Sequence, residues 1–155
     1  MNRNEKTVAM KVIGMNSCGH SPRADMLKEV TITLANGVGK LIEEKATDSL
    51  KWNIVGSHFI SGKKEVLNWI ETASTNATLL SIQDIITHCK SGAVHGELVL
   101  KDHTISFCDI YRFSSAGKGA KIVEITSYRV KKQFNQDLYL SDICTKRQVE
   151  SEKSW

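Results

Sequence analysis

Residues 106–113 read SFCDIYRF, and their alternation decides what kind of molecule this is. In an extended chain, successive side chains point to opposite faces. Ile105, Phe107, Tyr111 and Phe113 therefore share one side, and it is apolar. Asp109 falls in the middle of that same side. A lone carboxylate there is costly to ionise and must find partners or go neutral. The segment reads as a core strand with one polar point.

Working outward, the same period of two runs through four consecutive segments. They are ATLLSIQDIITHCK (77–90), GAVHGELVLK (92–101), HTISFCDIYRFS (103–114) and AKIVEITSYRVKK (120–132). Short separators containing SG, DH and SAGKG divide them, which is hairpin chemistry and predicts an antiparallel meander. Upstream the period changes. Ser21 suits an N-cap, Pro22 the first helical position, and Asn36-Gly37 a helix end. VGKLIEEKA (38–46) predicts a second, shorter helix. SLKWNIVG then alternates, with Leu50, Trp52 and Ile54 on one face, and GSHFISG returns as its partner. In GKKEVLNWIETAS, Val66, Leu67, Trp69, Ile70 and Ala73 share a helical face. Helix, helix, hairpin, helix and meander define an α+β fold, with three N-terminal helices packed on an antiparallel sheet in which twist is expected.

The 155 residues, 41% hydrophobic and 25% charged, suit one domain. Residues 1–21 read as an N-terminal extension with room for one short helix or edge strand. Residues 22–132 form the domain. Residues 133–155 form a tail, highly charged from Thr145 and expected to be partly disordered. No apolar run reaches membrane length and no signal-peptide pattern stands at the start, so a cytoplasmic protein without membrane association is expected. Cys18, Cys89, Cys108 and Cys144 form no CxxC pair and read as free thiols. The net charge of +4 is scattered and not interleaved with aromatics, which argues against nucleic-acid binding. His88, Cys89 and His95 offer no ordered ligand quartet, so no metal is expected. GVGK (37–40) lacks phosphate-loop spacing and GKG (117–119) reads as a turn.

With FISGKKEVLNWI and SFCDIYRFSSAGKGAKIVEITSYRV, this order of elements resembles the nuclear transport factor 2-like superfamily, in its SnoaL-like and ketosteroid-isomerase-like branch, over about residues 22–132. The resemblance implies that the three helices pack on a strongly curved antiparallel sheet, a cone-shaped, cystatin-like α+β barrel that works without a cofactor. It sets Asp109 on the aspartate that stays protonated in ketosteroid isomerases to hydrogen-bond an oxyanion. The position of the proton-shuttling aspartate falls on Asn53, an amide that cannot act as a base, and that of the oxyanion tyrosine on Val30. On parity, Ile122, Glu124, Thr126, Tyr128 and Val130 share a face of the last strand, which brings Tyr128 toward Asp109. Trp52, Trp69, Phe107, Tyr111 and Tyr128 are thus the expected pocket lining, and Asp109 its acid or hydrogen-bond donor. The expected ligand is a small hydrophobic molecule. Proton-transfer chemistry of the isomerase, dehydratase or cyclase type stands beside a non-catalytic binding or dimeric interaction module. The opposite face, read as Val94, Leu98, Leu100, Cys108, Ile110, Val123 and Ile125, is apolar enough to predict a homodimer through it.

Overall fold

Helix α1 (Pro22–Ala35) begins after Ser21 in extended conformation, with Pro22 in its first turn, and is closed where the Asn36 N–H donates to the Ile32 carbonyl. Its stripe of Ala24, Leu27, Val30, Thr31 and Ala35 is buried. Helix α2 (Lys40–Lys45) buries Ile42, and α3 (Lys63–Thr72) buries Val66 and Ile70. The computed structural model describes residues 9–14, 21–73 and 76–133. The expected tail lies outside the described residues. Among them, no helix is long and apolar enough to cross a membrane.

Seven strands follow in chain order: β1 (Lys11–Gly14), β2 (Ala46–Ile54), β3 (His58–Ser61), β4 (Leu79–His88), β5 (Ser91–Val99), β6 (His103–Phe113) and β7 (Ile122–Gln133). They form one sheet in the order β1-β4-β5-β6-β7-β2-β3. The meander is as read, and α1 packs on β4 and β5 while α3 packs on β2. The sheet is mixed, however, where a purely antiparallel one was expected. β1 runs parallel to β4, and β2 runs parallel to β7. Hairpins force antiparallel pairing only between neighbours in sequence. The two outer edges of the meander take strands that arrive by longer paths, whose direction no tight turn dictates. These strands cover edges that would otherwise leave rows of backbone groups unpaired.

Three irregularities of register bend the sheet, between Ala46 and Lys51 in β2, Ile82 and Asp84 in β4, and Arg112 and Phe113 beside β7. The last reverses the facing of β7. Phe113 pairs with Ile122, but Arg112 pairs with Glu124, so Ile125 and Ser127 become the buried positions. The face expected to be outermost is corrected too: the unbroken β5–β6 register turns Val94 and Leu98 inward, and the bulge turns Ile125. Val94 stands beside Asp109, Leu98 beside Ile105 and Ile125 beside Tyr111, and all three are core. The outer face instead exposes Ile86, Ile110, Tyr128 and Val130.

The β4–β5 turn falls on Cys89-Lys90, two residues before the expected Ser91-Gly92 pair. Gly92 serves a close approach instead, since a Cβ there would stand 2.5 Å from Leu27 Cδ1. Arg23 ties this turn to α1. Its guanidinium lies 4.3 Å from the centre of the Phe113 ring and donates to the carbonyls of Cys89, Ser115 and Gly117. Cys89 itself is left-handed, with φ of 49°. A Cβ in that region costs about 1 kcal/mol, which glycine avoids. Cys89→Gly is therefore expected to raise stability by about 1 kcal/mol in urea unfolding, since the carbonyl that Arg23 uses is kept. A variant no more stable than the parent would contradict this.

Candidate functional site

Between the C-terminal half of α1, α3 and the inner face of the sheet lies a cavity of about 50 Å³. Its walls are apolar, from Leu34, Trp52, Trp69, Ile70, Leu80, Leu98 and Phe107, with Thr31, Asp109 and Arg129 as its polar and charged members. Strand alternation explains most of this: Phe107 and Asp109 are two apart on β6, and Ser127 and Arg129 stand opposite them on β7.

Asp109 is 5% exposed, flanked by Val94 on β5 and Ser127 on β7. Its Oδ1 has no hydrogen-bond partner among the described residues, and neither has the Tyr111 hydroxyl. Burial pushes the Asp109 carboxyl above the ordinary carboxylate range, while the charge of Arg129 and the Ser127 hydroxyl pull in the other direction. Burial also pushes the Tyr111 hydroxyl up, reinforced by the nearby Asp109, with Thr31 and Arg129 opposing. Burial thus disfavours the charged form of both groups. The Trp52 indole N–H donates to Ser127 Oγ at 2.8 Å, fixing the ring as a cavity wall and leaving the Ser127 hydroxyl proton available to Asp109. Arg129 reaches over the Trp52 ring at 5.8 Å from its centroid, and the Trp69 ring packs on His58 at 4.3 Å.

Trp52, Trp69, Phe107 and Asp109 are thus brought together at the cavity. Tyr111 is wholly buried beside Asp109 rather than in the cavity lining. Tyr128 is not brought there. It is 48% exposed on the opposite face, beside Cys108, because the bulge next to β7 shifts the parity by one. Asn53 pairs with Thr126 and alternates away from Trp52 and Ile54, and Val30 is buried within α1. His95 is exposed opposite Cys108, and His88 lies at the turn with Nε2 3.7 Å from Cys89 Sγ. No group of three His, Cys, Asp or Glu side chains among the described residues could hold a metal. Thr31, Ser127 and Arg129 are the site residues that sequence reading missed. Only the position of the bulge turns the alternation of Ser127 and Arg129 inward.

A larger open cleft, about 750 Å³, lies at the N-terminal end of α1 against residues 116–121. Two of its cations are already committed to carbonyls: Arg23 as described, and Lys121 to that of Glu44. Among the described residues, the buried polar atoms without a partner lie at or beside the smaller cavity and not in this cleft.

No protein-family model and no curated protein matches the chain. Solved structures do. An NTF2-like protein of unknown function from Cytophaga hutchinsonii aligns at a TM-score of 0.56 and 21% identity, covering 69% of this chain and 98% of that one. A candidate ketosteroid isomerase from Kribbella flavida aligns at 0.54 and 16%, covering 70% and 78%. An LEH-like epoxide hydrolase from M. tuberculosis aligns at 0.54 and 14%, covering 68% and 76%. The chain has the nuclear transport factor 2-like fold. At these identities the likeness fixes architecture, and activity must be argued from the site.

Proposed function

We propose that this protein binds a small, largely apolar molecule in a cone-shaped pocket closed by α1 and α3 over the inner face of the sheet, with Asp109 as the polar anchor. The observation that carries the reading is Asp109 Oδ1, buried and without a hydrogen-bond partner among the described residues, in an otherwise apolar cavity wall. Buried polar groups are normally satisfied, and those that are not mark sites of function. The neutral carboxyl gives the ligand a hydrogen-bond donor and is the acid of a proton-transfer reaction such as isomerisation, dehydration or cyclisation. The company of a candidate ketosteroid isomerase and an epoxide hydrolase in the same fold supports this.

A second reading, a non-catalytic binding or dimeric interaction module, is favoured by one observation. Asn53 has no ionisable base to offer and faces away from the cavity, whose lining supplies no carboxylate or imidazole besides Asp109. In both readings a homodimer forms through the outer face around Ile86, Ile110, Tyr128 and Val130, and sedimentation of the full chain reads its mass.

Carbon NMR titration of the carboxyls, with Asp109→Asn to assign the signal, tests the anchor. Asp109 is expected to titrate above the ordinary value of about 3.9. Conversion of a substrate abolished in Asp109→Asn marks catalysis; a retained passenger without turnover marks binding. A normal or lowered Asp109 value removes the anchor from both.

A further inference from the structure

The cavity has a cation at its rim, Arg129, with no salt-bridge partner among the described residues. Arg129 lines the cavity opposite Phe107, reaches over the Trp52 ring, and forms no ion pair or hydrogen bond among the described residues. It is exposed, so its charge is stable without a partner, yet it is close enough to Asp109 and Tyr111 to act on both. Two donors can meet an occupant of this cavity, the guanidinium at the rim and the carboxyl further in when it carries its proton, while the Thr31 hydroxyl donates to the Leu27 carbonyl. The remaining donor nearby, the Trp52 indole N–H, is spent on Ser127. A site of donors takes acceptors, and a guanidinium takes a carboxylate in preference to a neutral oxygen because the hydrogen bonds are charge-assisted and bidentate.

Size sets a second limit. At roughly 10–15 Å³ for each water-sized occupant, an interior of about 50 Å³ holds roughly four heavy atoms. A steroid-sized body does not fit within it, whereas a short chain with its head at the rim does.

We infer that the ligand is a short oxo or hydroxy carboxylic acid, with its carboxylate on Arg129 at the rim, its carbon chain against Trp52 and Phe107, and an acceptor oxygen taking the proton of Asp109. This rests on the binding reading above and gives it a chemical class. Arg129 is then the residue that sets specificity, while Asp109 anchors the inner end.

The test compares 2-oxo acids of three to five carbons with methyl ketones of the same skeleton, in which a methyl group replaces the carboxylate. Binding is read from the Trp52 and Trp69 indole signals and the Ser127 amide in nitrogen-proton NMR of the full chain. The acids are expected to bind at least about tenfold more tightly than the ketones, the scale of one charge-assisted hydrogen bond. In Arg129→Gln that preference is expected to collapse to near unity while the ketones bind as before. Equal binding of acid and ketone by the parent overturns the role of Arg129 and leaves the binding reading standing. An acid preference that survives Arg129→Gln overturns it as well, by locating the anion elsewhere. Shifts from neither series overturn both.

Discussion

Gly96→Ala is expected to cost about 3 kcal/mol or more, the upper range for a core overpacked by one methyl. Gly96 sits on β5 opposite Ile82, the last residue of β4 in register before the bulge. A Cβ there would lie 2.0 Å from the Ser81 carbonyl oxygen, 3.0 Å from its carbon and 3.1 Å from Ile82 Cα. All three are backbone atoms within a hydrogen-bonded ladder, so none can rotate aside. The strand would have to separate where β4 turns most sharply. For a chain of this length such a loss lowers the melting temperature by about 6–12 °C. Gly92→Ala is the informative control, because its added carbon meets only the far end of the Leu27 side chain, which can move. A Gly96→Ala loss below about 1 kcal/mol, or no larger than that of Gly92→Ala, would show that the bend does not depend on this approach.

The second large effect is a dependence on pH. Burial raises the Asp109 pKa in the folded state, so over a window above the ordinary carboxylate value the folded protein keeps a proton that the unfolded chain has lost. Stability therefore falls as pH rises through that window, by up to about 1.4 kcal/mol per pH unit, and levels off above the folded-state value. Asp109→Asn has no proton to hold and no such fall. The stability difference between variant and parent is expected to be smallest in acid and to grow in favour of the variant toward neutrality, in urea unfolding at successive pH values. Glu97 and Asp102 act with the opposite slope, because Lys132 and His103 hold their pKa values down and that stabilisation is lost on acidification. Both are unchanged in the variant, so they cancel in the difference. A constant difference across the range would mean that the carboxyl is fully satisfied inside the protein.

Local patterns carried most of the architecture. The period of two from residue 77 gave the meander, and Ser21, Pro22 and Asn36 bracketed α1. β1 and the parallel pairing of β2 with β7 are decided by contacts between distant segments, which alternation within one strand does not contain. The site divides the same way. Trp52, Phe107 and Asp109 were legible because β2 from Lys51 onward and β6 as far as Arg112 keep their register through the core. Tyr128 was assigned inward and Arg129 overlooked for one reason: the extra residue beside Arg112 and Phe113 inverts the parity downstream. A bulge leaves no clear mark in composition, yet it decides which residues of β7 line the cavity. Thr31 was hidden differently, since its hydroxyl is satisfied by the Leu27 carbonyl one helical turn earlier and the residue reads as ordinary helix.

The parallel junction of β2 with β7 also governs time. The bond from Trp52 to Ser127 joins residues 75 apart in the chain, and this junction forms one wall of the cavity. During synthesis, β2 and β3 emerge long before the strand they lean on, and wait with one edge unpaired until residue 122 and those after it are made. Contacts of such separation are paid for in loop-closure entropy before they return anything, which places their formation late and makes folding slow. The wall of the cavity made by this junction is thus expected to close late in folding. Burial of the Trp52 indole, followed by its fluorescence during refolding, is the clock that reads when it closes.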